Sequence, residues 1–360
     1  MKKKFKEFYP LTVDEYKLIW NQALIVFDTN LLLNFYRYSE TTFQSFIDVL
    51  NELDGKIWIP FQVAQEFHLN RLNVIEHQIK IYSTYNDKLQ ELQNDLENKT
   101  KNPFISKLLL EETTNTFNNI RAELYHKQKY YENLINNDSI LMTVTEIFNN
   151  KIGAPFSESE LKSIYSEADN RYKYHIPPGY KDVHKKDNEK YGDYILWKEI
   201  LKKAENDKCH ILFITDDTKE DWWIRSQGKT IGPNINLRRE FYEVTGQLFY
   251  MYRAFNFLEY AQKRIDNNID SSVMEEVEKF TSNEQLIYIE IRNSKEQDID
   301  NLTKMVSNDG YEVFKTDIQD DKSVLQVILP NINDISRRFE MKLRSYCAII
   351  NLEIIKIVMV

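Results

Sequence analysis

Apolar positions fall in two rhythms along this chain. Residues 23–27 of "ALIVFDTN" and 210–215, "HILFIT", are short apolar runs bounded by polar residues, and each predicts a buried strand. "KIWIPFQV", 56–63, predicts a further strand, closed by Pro60. Between the first two of these in chain order, "SETTFQSFIDVLNEL" spaces its apolar residues helically, with Ser39 placed to cap the helix. Strand, helix, strand, a long helical region, then helix and strand is an α/β order and predicts a parallel sheet.

The middle of the chain keeps only the helical rhythm. Residues 63–98 are rich in Glu, Lys, Gln, Leu and Ile without proline or glycine, and a second such run covers 105–136. They predict two long helices packed as a hairpin, turning near "KNPF" at 101–104. The alternating charges of "DKLQELQNDLENK" suit a solvated helix face rather than a binding motif. A lysine-rich loop with proline and glycine, 175–192, precedes a helix at 193–207. After residue 265 a polar stretch, 266–283, predicts a linker, and 284–360 reads strand, helix, strand, strand, helix, strand, the order of a ferredoxin-like α+β domain. The expected domains are therefore 1–265, with a helical insertion over about 67–175, and 284–360.

At 360 residues the chain is long enough for two such domains. Its net charge of -9 argues against coating nucleic acid by bulk positive potential, but leaves room for an active site made of carboxylates. Cys209 and Cys347 stand far apart, which excludes a disulfide framework and a thiolate zinc site and fits a reducing cytoplasm. The basic start "MKKKFKEFYPL" lacks the apolar core of a signal peptide, and no apolar run reaches membrane-spanning length. The expectation is a soluble, cytoplasmic protein.

Candidate chemistry comes from where the acids fall. Asp28 ends the first strand, although an unpaired buried carboxylate is costly. Glu66 follows the second strand, Asp193 opens a helix after Gly192, Asp216 and Asp217 end the late strand, and Asp221 lies one helical turn on. Open α/β sheets place their chemistry at these strand ends. Clustered carboxylates repel, and a hard divalent cation such as Mg²⁺ or Mn²⁺ relieves that repulsion while lowering the pKa of a bound water. Each acid also has a plain structural reading: Asp28 and Asp193 as helix caps, Glu66 as a surface residue, and Asp216, Asp217 and Asp221 as loop acids.

"VFDTNLLLNFYR", "WIPFQVAQEF", "YGDYILWKEIL" and "LFITDDTKEDWW", in that order, resemble the large bacterial PIN-like domain, a branch of the PIN nuclease superfamily with a long helical insertion. The resemblance covers about residues 12–262, "GKTIGPNINLRREFYEVTGQLFYMY" included. It implies a three-layer α/β/α sandwich around a parallel sheet and metal-dependent hydrolysis of phosphodiesters, usually in RNA. By position, Asp28, Glu66, Asp193 and Asp217 match the family's acidic quartet, with Asp216 and Asp221 as further metal-ligand candidates. Thr29, Asn30 and Thr215 would support Asp28 or its bound water. Related members include toxins and proteins encoded beside phage-defence genes, and DNA stays open as a substrate.

Arg37, Arg71, Lys181 and Lys219 are the candidate phosphate-binding cations, ahead of Arg238 and Arg239. Trp222 and Trp223 could stack on a base, although adjacent tryptophans more often serve a core. The histidines show no metal-binding spacing, and neither a Walker loop nor a GxSxG elbow occurs. An alternative reading is a non-catalytic nucleic-acid-binding or regulatory module whose acids are structural. In the C-terminal domain, Tyr288 and Tyr311 could stack on RNA, but Glu290, Glu312, Asp317 and Asp320 accompany them. That charge favours a protein-interaction or self-association role there.

Overall fold

Two strands with consecutive buried residues set the architecture. Val26 and Phe27 of β1 (Leu24–Phe27) and the whole of β3 (Ile211–Ile214) are buried without alternation, so both faces of the sheet are covered by helices. The structure is a computed structural model that describes residues 1–360 except 2–4, 99, 101–104, 186, 227–228, 266–268, 283, 293–295, 309–311, 320–321, 331–334, 351 and 360. The turn expected at 101–104 and Tyr311 and Asp320 lie outside the described residues, as do the side chains of Tyr288, Glu290, Glu312 and Asp317.

The chain divides into two units, Met1–Val277 and Glu278–Val360. In the first, α1 (Val13–Gln22) leads into β1, followed by α2 (Thr29–Asn34), α3 (Glu40–Glu52), β2 (Ile57–Trp58), α4 (Phe61–Glu97), α5 (Lys107–Leu134), α6 (Ser139–Ile147) and α7 (Glu158–Lys173). Then come α8 (Gly192–Asp207), β3, a hairpin of β4 (Trp223–Ser226) and β5 (Lys229–Pro233), α9 (Ile235–Thr245), β6 (Phe249–Tyr252), α10 (Ala254–Ile265) and α11 (Ser271–Ser282). The main sheet has the order β2-β1-β3-β6, and its pairs are all parallel. The chain leaves β1 toward β2 and later returns on the other side as β3. The ends of β1 and β3 therefore flank the switch point where an open sheet binds ligands.

The second expected strand is shorter than its pattern. Only Ile57 and Trp58 pair with β1, and Pro60 becomes the N-cap of α4. Proline has no N–H for a ladder but fits a helix start, and Val63, Ala64 and Phe67 then bury a helical stripe. Ser39 caps α3 as expected, accepting from the Thr42 N–H at 3.2 Å. The long helices α4 and α5 pair, yet their buried residues cluster at one end, from Val63 to Gln78 on α4 and at Tyr131 and Leu134 on α5. The rest of the hairpin rests on its own two helices.

Of the stretch expected as a linker, residues 269–277 belong to this unit. Ile269, Val273 and Val277 recur every fourth residue and are buried in its core. Glu276 accepts from Ser39 N–H, Ser39 Oγ and Thr42 Oγ1, each at 2.6 Å, and so reinforces the start of α3. In the second unit, β7 (Glu284–Arg292), α12 (Glu296–Asn308), β8 (Glu312–Gln319), β9 (Lys322–Pro330), α13 (Ile335–Ile349) and β10 (Glu353–Met359) form an antiparallel sheet of order β10-β7-β9-β8. Ile289, Ile291, Leu325 and Val327 of its inner strands pack with Ile299 and Leu302 of α12 and Leu343 of α13.

Candidate active site

Asp28 is held by three uncharged donors. Thr29 N–H donates to Oδ1 at 2.7 Å, capping α2, while Asn30 Nδ2 and Thr215 Oγ1 donate to Oδ2 at 2.7 and 2.6 Å. Asn30 also donates to Thr215 Oγ1 at 3.0 Å and accepts from Asp216 N–H at 3.1 Å, which ties the ends of β1 and β3 together. The capping reading of Asp28 therefore holds at the start of α2. Burial pushes its carboxyl up to about 7; the Thr215 hydrogen bond opposes that, and the charges of Asp217 and Glu66 add to it.

Glu66 reaches this point from the first turns of α4. Its Oε2 accepts from Thr29 Oγ1 at 2.9 Å and its Oε1 from Gln62 Nε2 at 2.7 Å. A Cβ at Gly192 would come within 2.7 Å of Glu66 Oε1, so glycine is what lets α8 start this close to α4. Six residues beyond Asp193 on α8, Glu199 accepts from Gln62 N–H at 3.1 Å. It thereby caps α4, whose N-cap Pro60 offers no side-chain acceptor. Burial raises the Glu199 carboxyl to about 7. The start of the helix that carries Glu66 is therefore tied to the middle of the helix that carries Asp193, by a residue that the sequence pattern did not single out.

Asp193 and Asp217 sit on the other side of the cluster, and an ammonium lies between them. Lys219 Nζ is 3.2 Å from Asp193 Oδ2, 3.0 Å from Asp217 Oδ2 and 3.0 Å from Asp182 Oδ2. This corrects the expectation that Lys219 contacts phosphates: its charge is already engaged by three carboxylates. Asp182, in the lysine-rich loop, is the acid that the sequence reading missed. Burial alone would raise its carboxyl, but Lys219 and Lys185 hold it below its ordinary value. Asp193 is raised, by burial first, with Lys219 opposing and Asp182, Asp217 and Asp221 adding repulsion. Indole N–H groups also reach these acids: Trp222 donates to Asp193 Oδ2 at 3.4 Å and Trp223 to the Asp217 carbonyl. Both rings are buried, so they serve the core and brace the acids rather than stack on a base.

The remaining expected residues separate. Asp216 turns to α10, where its Oδ1 accepts from Ala254 N–H at 2.9 Å, and its Oδ2 accepts from Asn34 Nδ2 at 3.4 Å. It is drawn into capping and is not a free ligand. Asp221 is fully buried; its Oδ2 accepts from Gly179 N–H at 2.8 Å, while its Oδ1 has no hydrogen-bond partner. Gly179, at φ +92°, gives that N–H a left-handed backbone that other residues adopt only with strain. Arg71 pairs with Asp138 at 2.9 Å, beside Tyr36, and so braces α4 against α6 instead of facing the acids. Lys181 pairs with Glu220 at 2.6 Å. Arg37 donates to Asn34 Oδ1 at 2.8 Å and has no carboxylate partner among the described residues, and its burial lowers the guanidinium's pKa.

Among the described residues no group of three or more His, Cys, Asp or Glu side chains is arranged to hold a metal ion as it stands. What the acids hold is the ammonium of Lys219. No helix among the described residues is long and apolar enough to cross a membrane.

Residues 24–237, more than half of the chain, match a family described as a PIN-like domain. The chain belongs to that family. The match begins at β1 and ends in α9, so the PIN-like region contains Asp28, Glu66, Asp193, Asp217 and the Lys219 ion pairs. PIN-like domains fall within the PIN nuclease superfamily, which fits a parallel sheet with acids gathered at its switch point. No curated protein matches the chain, and no solved structure does.

Proposed function

We propose that this PIN-like domain is a metal-dependent endonuclease that hydrolyses phosphodiester bonds in RNA with Mg²⁺ or Mn²⁺. The observation that carries the reading is the convergence of acids from separate elements: Thr29 donates to both Asp28 and Glu66, Thr215 Oγ1 donates to Asp28 and accepts from Asp217 N–H, and Lys219 joins Asp217 to Asp193. Nothing in a fold requires four acids to be brought within each other's field; a cation relieves their repulsion.

The donor chemistry fits a hard ion. Carboxylate oxygens with hydroxyl and amide neighbours suit Mg²⁺ or Mn²⁺, and the buried Asp221 Oδ1 is an acceptor without a donor. Asp28, Glu66, Asp193 and Asp217 would hold the group and are the catalytic residues of this reading. When bound, such an ion supplies an activated water and stabilises charge on the phosphoryl group. The chain's own residues do the positioning. Thr29, Asn30 and Thr215 fix the Asp28 carboxylate, so its acceptor geometry is preset before substrate arrives. Arg37, which has no carboxylate partner among the described residues, is the candidate to meet a phosphate, since a guanidinium forks onto phosphate oxygens and here breaks no ion pair seen among those residues. A toxin or phage-defence setting follows from the family resemblance and is part of the same proposal.

The test is cleavage of single-stranded and structured RNA by the purified chain with Mn²⁺, with chelator, and with Asp28→Asn. Chelator-sensitive cleavage that is lost in Asp28→Asn supports the reading; equal cleavage by wild type and variant removes Asp28 from the site. One observation favours a second reading, a non-catalytic nucleic-acid-binding module: the Lys219 ammonium already neutralises part of the cluster. In that case RNA binds without turnover, and Mn²⁺ leaves the melting temperature unchanged.

For residues 284–360 we propose a ferredoxin-like domain used for self-association or for a protein partner. Light scattering on the full chain tests this: a monomer that also captures no protein partner counts against it.

A further inference from the structure

We propose that a cavity at the far end of the sheet from the acids binds a small aromatic carboxylate. It lies between the N-terminal segment and α9, and its volume of about 420 Å³ is that of a small-molecule site. Phe249, the first residue of β6, lines it and pairs with Ile211 at the start of β3. Asp28 and Asp216 follow the other ends of these parallel strands. The cavity is therefore separate from the acid cluster and rests on neither metal nor nuclease chemistry.

Its cations are not all engaged in the same way. Arg239 is committed, with Nε and Nη2 on Glu7 Oε1 at 2.9 and 2.8 Å, and Lys6 pairs with Glu15 at 2.9 Å. Arg238 is held by carbonyls alone: Nη1 donates to those of Glu7 and Tyr9 at 2.8 and 3.2 Å, and Nη2 to that of Tyr9 at 3.2 Å. A guanidinium carries five N–H donors, and these bonds use only its end. Its side edge, Nε–H with the adjoining Nη2–H, donates to nothing among the described residues, and no carboxylate there pairs with it. Burial also lowers this guanidinium below its ordinary value. Such an edge takes a carboxylate through two parallel hydrogen bonds.

The rest of the lining selects the body of the ligand. Leu11 and Phe249 are buried and Leu248 is partly so, which gives an apolar inner surface, while the Phe5 and Tyr242 rings are exposed at the mouth. A flat ring suits both parts. Lys6, Arg238 and Arg239 against Glu7 and Glu243 leave the lining one net positive charge, which a single carboxylate neutralises. The second charge of a phosphate monoester would meet Glu243 without a partner.

Isothermal titration calorimetry on the full chain tests this with indole-3-acetate, its neutral analogue indole-3-acetamide, and adenosine 5′-monophosphate. Indole-3-acetate is expected to bind with a dissociation constant below about 1 mM, and the other two about tenfold more weakly. Arg238→Lys keeps the charge but loses the fork, and Tyr242→Ala removes a ring at the mouth; each should weaken indole-3-acetate about tenfold. Arg238 also pins the N-terminal segment, so Tyr242→Ala carries the test should Arg238→Lys fail to fold. Absence of indole-3-acetate binding overturns the inference, as does equal binding of the acetamide or tighter binding of the nucleotide. Wild-type affinity in Tyr242→Ala, or in folded Arg238→Lys, overturns it as well.

Discussion

The two sides of the acid cluster hold carboxylates of the same kind by opposite means. Around Asp28 and Glu66 the donors are hydroxyls, amides and backbone N–H groups, which orient a carboxylate without neutralising it. Around Asp193 and Asp217 an ammonium joins the uncharged donors, and it neutralises as well as orients. The lesson concerns charge rather than hydrogen bonding, since both sides are well supplied with donors. Uncompensated charge remains where no lysine among the described residues reaches, and there a divalent ion has most to gain.

The largest expected effect comes from the side without a lysine. Asp28→Asn keeps the size of the side chain but removes its charge and one of its two acceptor oxygens, and should lower RNA cleavage at least ~10³-fold, or about 4 kcal/mol. Asp217→Asn should do the same, because Asp217 is the acid that both sides share. Single-turnover rates measure both, and a loss below tenfold would break the comparison.

Next comes removal of the lysine. Lys219→Met leaves three carboxylates facing one another and should cost up to about 3 kcal/mol of stability, toward the low end of a buried pair because the ammonium is partly open to water. Urea denaturation without metal reads this loss, and Mn²⁺ should restore more stability to the variant than it adds to wild type. An unchanged midpoint would mean that the ammonium does not compensate these acids.

Arg37→Ala should weaken RNA binding about tenfold, the size of one charge-assisted hydrogen bond, with little effect on the metal-induced rise in melting temperature. Arg71→Ala should instead lower stability, because it strands Asp138 between α4 and α6. Fluorescence anisotropy and thermal melts separate the two arginines, and equal profiles would contradict the assignment of Arg37.

The pH dependence is smaller and has a fixed sign. Folding raises the Asp28 carboxyl to about 7, so the folded chain binds that proton more tightly than the unfolded one. Its contribution to stability is full below the unfolded carboxylate range of about 4 and is lost as pH rises through about 7. The metal-free melting temperature should fall between about pH 5 and 8, less steeply in Asp28→Asn, with Glu199 supplying part of the remaining slope. Stabilisation by Mn²⁺ should grow over the same range as protons leave the acids. A Mn²⁺ effect independent of pH would place the ion away from Asp28.

Local rhythm was enough to read β1, β3, α3 and the long helices α4 and α5, because each carries its period within one element. It was enough for the acids at strand ends too, since parallel topology fixes where those ends point. β6 was not read as a strand: "FYMY" mixes aromatic positions that suit either period. α11 was read as linker although Ile269, Val273 and Val277 form a four-residue stripe, because its polar surroundings dominate the pattern. Arg71 was placed near Glu66 by nearness in sequence, yet five residues along a helix turn a side chain about 140° around the axis. Asp182 and Glu199 were out of reach for another reason. Asp182 meets Lys219 from 37 residues away and Glu199 meets Gln62 from 137 residues away, and nothing near either acid records those contacts.

The most direct test of the two-sided cluster is the anomalous scattering of Mn²⁺ in crystals of the full chain. A peak about 2.1 Å from carboxylate oxygens of Asp28 and Glu66 is the predicted result. No peak near Asp28 and Glu66 would contradict it.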